Sequence, residues 1–187
     1  MSGFLEKNVI SENDILDVVD SIDSKRVRAQ VYIDNPDGTR TDITNPEHRS
    51  TWRYPEIQPV FFPSLTESIR QWANELSPEP VEVLQFDCLL YEAGDRFRPH
   101  TDGSGSLENS GGRMYTTVTM LNKSDDLKGG ELLIYEEGPD SAYTSYNLEI
   151  GETVMFPSMK WHEATEVITG SRLVLVIWLG KKGYPGR

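Results

Sequence analysis

The chain has 187 residues, with 18 Lys plus Arg against 30 Asp plus Glu and a net charge of −12. That length predicts a single domain with a core large enough to need no disulfide staples, and one cysteine, Cys88, excludes an internal disulfide framework or a cysteine zinc finger. The acidic balance argues against a nucleic-acid or membrane partner, because such binding needs clustered positive charge.

No apolar run approaches the roughly 20 residues of a membrane span, and the opening MSGFLEKNVISEND lacks the basic and apolar regions of a signal peptide, so a cytoplasmic location is expected. Ser11 opens an S-x-x-D pattern, and Ile15, Leu16, Val19 and Ile22 follow at helical spacing, which predicts a capped helix from about 12 to 23. Residues 35–55 hold the turn dipeptides Asn35-Pro36, Asp37-Gly38 and Asn45-Pro46 and few aliphatics, which reads as a long mobile loop of the kind that forms lids. Leu65, Ile69, Trp72 and Leu76 share one face, predicting a second helix over 64–76.

From Val81 the pattern changes to strands: 81–94, 113–122, 131–138, 145–150, 152–157 and 172–180, punctuated by Gly and Pro. Cys88, inside FDCLLY, reads as a buried strand residue. Helices first and strands later predict an α+β, mainly β chain: a sandwich or barrel core over 81–180, buttressed by N-terminal helical support over 1–80.

Three histidines are present, His48, His100 and His162. His48 falls in the loop and is given no metal role. His100 and Asp102 are spaced i, i+2, which on a strand places an imidazole and a carboxylate on one face. His162, after the strand ETVMFP, completes a two-His-one-carboxylate triad if the sheets fold face to face. Such a triad fills one face of an octahedron and leaves three positions open, which suits non-haem Fe(II) and oxygen chemistry. Arg172 begins the most apolar strand of the chain. A guanidinium entering such a strand needs an anion: either a bound carboxylate or a structural Asp or Glu.

These residues resemble the Fe(II)/2-oxoglutarate-dependent dioxygenases, and within them the prolyl 4-hydroxylase-like branch. The stretch Tyr91-x-x-Gly94-x-x-Phe97-x-x-His100-x-Asp102 is similar to that branch's segment around its first metal ligands. LNKSDDLKGGELLIYEEG is similar to its glycine-glycine strand, and WHEATEVITGSRLVLVIW to its closing segment. The resemblance covers residues 80–187 well and implies a double-stranded β-helix, or jelly roll. It implies that His100, Asp102 and His162 ligate Fe(II), and that Arg172 binds the distal carboxylate of 2-oxoglutarate. By the same resemblance Tyr91 lines the cosubstrate pocket, and Arg113 and Trp178 face the substrate. Fe(II), 2-oxoglutarate and O2 are the implied cofactor and cosubstrates, with ascorbate as a candidate reductant. Two positions depart from relatives: collagen-type enzymes carry Lys where Arg172 stands, and some relatives carry Tyr where Met120 stands.

The reaction so implied is hydroxylation of an unactivated C–H bond with release of succinate and CO2. A prolyl residue in a peptide or protein is the leading substrate, and a free amino acid or other small molecule the alternative. Nucleic-acid dealkylation is disfavoured, since those relatives carry a second arginine where Trp178 stands. A non-catalytic jelly-roll binding protein is the reading of a different class. GSGSLENSGG, residues 103–112, is expected to be mobile and, with loop 35–55, to close over substrate. The acidity is uneven: residues 24–53 carry six basic against four acidic side chains, so the mouth of the proposed site is neutral to basic, as an anionic cosubstrate favours.

Overall fold

In the computed structural model, residues 4–7, 9–23, 25–34, 40–103 and 112–181 are described. Residues 104–111, most of the glycine-rich stretch expected to close over substrate, lie outside them, as do 35–39 of the first expected lid. In chain order the elements are β1 (Phe4–Lys7), α1 (Glu12–Asp20), β2 (Val27–Arg28), β3 (Val31–Asp34), β4 (Arg40–Ile43) and β5 (Trp52–Tyr54). A 3-10 turn (Pro59–Phe61) leads into α2 (Pro63–Leu76), then β6 (Val81–Glu92), β7 (Phe97–His100), β8 (Arg113–Lys123), β9 (Lys128–Gly129) and β10 (Leu132–Tyr135). The chain continues through β11 (Tyr143–Tyr146), β12 (Glu152–Pro157), β13 (His162–Ala164), β14 (Val167–Thr169) and β15 (Ser171–Lys181).

The strands form a major sheet in the order β1-β12-β8-β15-β6-β5-β2 and a minor sheet in the order β11-β10-β13-β7. This is the expected mainly β jelly roll with two helices. The helices begin where their caps dictate. Ser11 accepts the Asp14 N–H at 3.1 Å, and Pro63 opens α2, where its missing N–H costs nothing. α1 ends at Asp20, earlier than the apolar spacing suggests, because Ser21 caps it and its Oγ bonds the Asp17 carbonyl. No helix among the described residues is long and apolar enough to cross a membrane.

Two apolar layers hold the parts together. On the outer face of the major sheet, Ile15 and Val18 of α1 and Leu65, Ile69 and Ala73 of α2 pack on Phe86, Cys88, Leu175, Ile177 and Leu179. On the inner face, Leu89, Tyr91, Met120, Val174, Val176 and Trp178 meet Leu132, Ile134 and Ala164 of the minor sheet. Strand β15 is covered on both sides, so it reads as a continuous apolar run rather than an alternating one.

The N-terminal third does more than buttress. β1 pairs with β12 and β5 with β6, so it adds strands to the major sheet itself. The 35–55 segment, expected to be a mobile loop, is corrected accordingly. Arg40–Ile43 pairs antiparallel with β3, and Trp52–Tyr54 aligns with Leu90, Leu89 and Cys88 of β6. Its polar composition conceals this because backbone ladders need no aliphatic side chains, and β3–β4 is a two-stranded ribbon.

Candidate metal centre

The minor sheet sets the two histidines side by side. His162, the first residue of β13, lies opposite His100, the last of β7, in antiparallel register. Their ring centroids are 4.2 Å apart. Asp102 does not share the strand with His100 as the i, i+2 spacing suggests: β7 ends at His100 and Asp102 sits in the bend that follows. That bend is fixed instead by the main-chain N–H groups of Asp102 and Gly103, which both donate to the Ser158 carbonyl, at 2.9 and 3.1 Å. The result is a compact triad in which one ligand atom from each of His100, Asp102 and His162 lies within 4.8 Å of the others. Asp102 Oδ1 is 3.7 Å from His100 Nε2, and Oδ2 is 3.4 Å from His162 Nε2.

The outer partners decide what these atoms can do. His100 Nδ1 donates to the Arg98 carbonyl at 2.8 Å and His162 Nδ1 to the Lys160 carbonyl at 2.9 Å. With the proton held on Nδ1, each Nε2 presents a lone pair toward Asp102, the tautomer a metal ligand requires. Thr116 Oγ1 donates to Asp102 Oδ2 at 2.7 Å and is itself linked to Ser158 Oγ at 2.9 Å, so the carboxylate is oriented from behind. Burial, with His162 beside it, pulls the His100 imidazole well below its ordinary value. Burial alone would raise the Asp102 carboxyl, but His162, His100 and Arg113 outweigh it and hold the carboxyl well below the usual range. Two imidazoles and one carboxylate converging in this way are the donor set of a facial triad, and these residues fit a divalent iron.

Phe97 stacks on His100 with ring centroids 3.5 Å apart and planes at 16°, and the Arg49 guanidinium carbon lies 4.6 Å from the Phe97 ring centroid. His48 stands beside this stack, 6.4 Å from the His100 ring centroid, outside the triad. Burial, reinforced by Arg98 and Arg49, lowers its pKa from the ordinary imidazole value.

Tyr91 and Arg172 lie opposite each other on β6 and β15. The Arg172 guanidinium carbon is 4.4 Å above the Tyr91 ring. Arg172 is 3% exposed, and its Nε has no hydrogen-bond acceptor. Among the described residues no carboxylate lies within ion-pair distance of it, although Glu131 acts on its charge from farther off. A buried guanidinium with an unused N–H fits the carboxylate of an anionic ligand. Met120 sits on the same apolar wall, opposite Val174, and has no hydroxyl to offer such a ligand.

Arg113 and Trp178 are also brought together. The guanidinium carbon of Arg113 lies 4.0 Å from the Trp178 ring centroid, and its Nη1 reaches the Asp102 main-chain oxygen at 3.4 Å. Several site residues escape a reading of the sequence. Thr116 and Ser158 look like ordinary strand and turn residues; alternation along RMYTTVTM puts Thr116 inward but cannot name its partner. Gln85 and Asp87, on the inward face of β6, are hidden within a strand that reads as apolar.

Residues 86–180 match the family model described as the 2OG-Fe(II) oxygenase superfamily. A PKHD-type hydroxylase from Idiomarina loihiensis is 33% identical over 101 residues, 54% of this chain and 44% of that protein. A second, from Gloeothece citriformis, is 33% identical over 110 residues, 57% of this chain and 48% of that protein. The chain thus matches less than half the length of these curated relatives. Among solved structures, a prolyl-4-hydroxylase from Pseudomonas putida superposes with a TM-score of 0.66 at 17% identity, covering 96% of this chain and 93% of that one. A prolyl hydroxylase from Trichoplax adhaerens, solved with a hypoxia inducible factor peptide fragment, gives 0.67 at 14% identity, covering 97% and 84%. At these identities the likeness is one of fold.

Proposed function

Starting from the fact that this chain belongs to the 2OG-Fe(II) oxygenase superfamily, we propose that it is an Fe(II)- and 2-oxoglutarate-dependent dioxygenase. Its reaction hydroxylates an unactivated C–H bond, with a prolyl residue of a peptide or protein as the substrate and succinate and CO2 as co-products. The observation that carries this reading is the convergence of His100 Nε2, His162 Nε2 and an Asp102 oxygen, with both Nδ1 atoms tied to main-chain carbonyls. When bound, the iron supplies the oxygen activation that no side chain can perform.

The protein's own residues bind, orient and exclude water. His100, Asp102 and His162 would hold the metal. Arg172 receives the distal carboxylate of 2-oxoglutarate, and Tyr91 forms the wall under that guanidinium. Leu89, Met120, Val174 and Val176 make the rest of the wall apolar, so water is kept from the reacting atoms. Trp178 and Arg113 stand on the substrate side, stacked on each other beside Asp102. Ascorbate would serve to keep the iron ferrous between turnovers. Support for a peptide substrate comes from the prolyl hydroxylases of the same fold, one of them solved with a peptide.

The test is succinate formation from 2-oxoglutarate with Fe(II), with and without proline-rich peptides, and with His100→Ala as control. Peptide-stimulated turnover with hydroxyproline found by mass spectrometry is expected. Turnover that a free amino acid stimulates and no peptide does would replace the peptide substrate with a small molecule. No metal-dependent turnover by the wild type would overturn the enzymatic reading.

A further inference from the structure

Along the inner wall of the major sheet and its edge, Arg172 Nε, Trp178 Nε1 and Arg49 Nε are buried without an acceptor, as is Arg96 Nε, whose Nη1 pairs with Glu166. The first lies at the end assigned above to 2-oxoglutarate. Trp178 stands on the side assigned above to substrate, and neither its Nε1 nor Arg49 Nε, whose Nη1 donates to the Gln30 carbonyl, has such an explanation. Trp178 is 6% exposed and aligns with Gln85 on one neighbouring strand and Thr116 on the other. Thr116 bonds Asp102, so the indole is one strand from a metal ligand's support. Arg49 is 11% exposed in its side chain and rests on Phe97, which stacks on His100.

A chain of polar contacts joins these positions. Arg113 Nη2 donates to Gln85 Oε1 at 2.9 Å, and Gln85 Nε2 donates to Asp87 Oδ1 at 3.3 Å. Arg53 Nε donates to the same Asp87 oxygen at 2.7 Å, and Arg49 Nη2 lies 3.9 Å from Oδ2. Asp87 is 5% exposed. Two guanidiniums, Arg49 and Arg53, therefore share one buried carboxylate, while two buried donors of the same wall remain unmet. A neutral carbonyl could accept from both donors but would still leave two guanidiniums to one carboxylate. An anion satisfies both.

We propose that the substrate brings a carboxylate to this wall, received by Trp178 Nε1 and the Arg49 guanidinium, with Arg53 at its edge. The inference rests on the dioxygenase reading and names the chemistry the substrate side selects. The carboxylate is either the α-carboxylate of a free amino acid or an acidic side chain beside the target residue in a peptide. Asp87 sets the strength of that selection, since it competes with the incoming anion for both guanidiniums.

The protein, loaded anaerobically with Fe(II) and 2-oxoglutarate, is titrated calorimetrically with L-proline and the other proteinogenic amino acids, each paired with its methyl ester. N-acetylated, C-terminally amidated peptides containing Glu-Pro or Gln-Pro form the second arm. At least one acid is expected to bind tenfold or more tightly than its uncharged partner. A free amino acid doing so identifies the α-carboxylate, and the Glu-Pro peptide doing so identifies the side chain. Trp178→Phe, which keeps a ring but removes the N–H, and Arg49→Gln should each shrink the acid-to-neutral ratio, and Asp87→Asn should enlarge it. The ratio is read within each variant, so partial loss of folded protein does not imitate the effect. Equal binding of acid and neutral probes, no binding by any acid, or ratios unchanged by all three substitutions overturns the proposal alone. Failure to bind Fe(II) and 2-oxoglutarate overturns it together with the dioxygenase reading.

Discussion

Gly130 lies against Arg172. Its φ is +72°, and a Cβ added there would stand 3.3 Å from both Cδ and Nε of Arg172 and 2.9 Å from Val167 Cγ2. The pair explains why the segment before β10 carries Gly129-Gly130: at the first glycine, φ +75°, a Cβ would run into the Glu166 carbonyl oxygen. Gly130→Ala is therefore expected to displace the guanidinium and to weaken 2-oxoglutarate binding by about tenfold or more. Gly94, at φ +88° but with nothing within 4 Å of where a methyl group would stand, is the control. Gly94→Ala should cost only backbone strain of about 1–2 kcal/mol. Calorimetric titration with 2-oxoglutarate, alongside urea unfolding, separates the two; equal binding by both variants would refute the assigned contact.

Thr116 gives the second prediction. Its hydroxyl is bonded to Asp102 Oδ2 at 2.7 Å and to Ser158 Oγ at 2.9 Å. Thr116→Val keeps the shape and β propensity but leaves the carboxylate free to turn. Partners of this kind contribute about 10–100-fold to metal affinity. Competition with a chromogenic chelator for Fe(II) or Co(II) should show a loss in that range, with far-ultraviolet circular dichroism unchanged. Undiminished affinity would mean that the Ser158 carbonyl, which accepts both main-chain N–H groups of the bend, orients Asp102 by itself.

Much of this is legible in the sequence, for identifiable reasons. Strand β15 is visible because its residues are buried on both faces and so form an uninterrupted apolar run. The triad is visible because imidazoles are rare in the chain and spacing constrains them. Contacts between segments distant in sequence cannot be read in this way. Arg53 meets Asp87 because β5 joins β6, and Arg49 meets Phe97 through an isolated bridge to β7; β5 itself is a three-residue strand inside a stretch rich in turn dipeptides. The bend carrying Asp102 reads as strand from its spacing because its true geometry comes from the Ser158 carbonyl, which lies beyond β12.

The stacked pair of Phe97 and His100 supports a third prediction. Ring contacts of this kind contribute about 0.5–1.5 kcal/mol beyond burial. Phe97 also lies against both the Arg49 guanidinium and the His100 imidazole. Phe97→Leu retains apolar bulk but lets His100 rotate and brings the cation nearer to it. Both effects oppose metal binding, so Co(II) affinity should fall by about two- to tenfold. The d–d spectrum of the Co(II) complex should broaden, reporting a less uniform site. An unchanged spectrum and affinity would show that the Arg98 carbonyl bond alone fixes the ring.

Cys88 yields the pH prediction. It lies on the helix-facing side of β6, and burial pushes its thiol from an ordinary 9.0 up to about 12, with Glu56 and Asp87 adding to the effect. Well below pH 9 the thiol is protonated in both folded and unfolded chains and contributes no pH dependence. Above that, the unfolded chain loses the proton while the folded chain keeps it, so ionisation favours unfolding until the folded thiol also titrates near pH 12. One such group lowers stability by about 1.4 kcal/mol per pH unit well inside this window. Tyrosines and lysines titrate nearby, so the quantity to measure is the difference between wild type and Cys88→Ala in urea unfolding at pH 8 and pH 10. The wild type should be the more stable at pH 8, where alanine leaves a small cavity, and its advantage should narrow by about 1 kcal/mol at pH 10. An advantage that stays constant would mean that the thiol ionises in the folded protein near its ordinary value, and one that widens that it ionises below it.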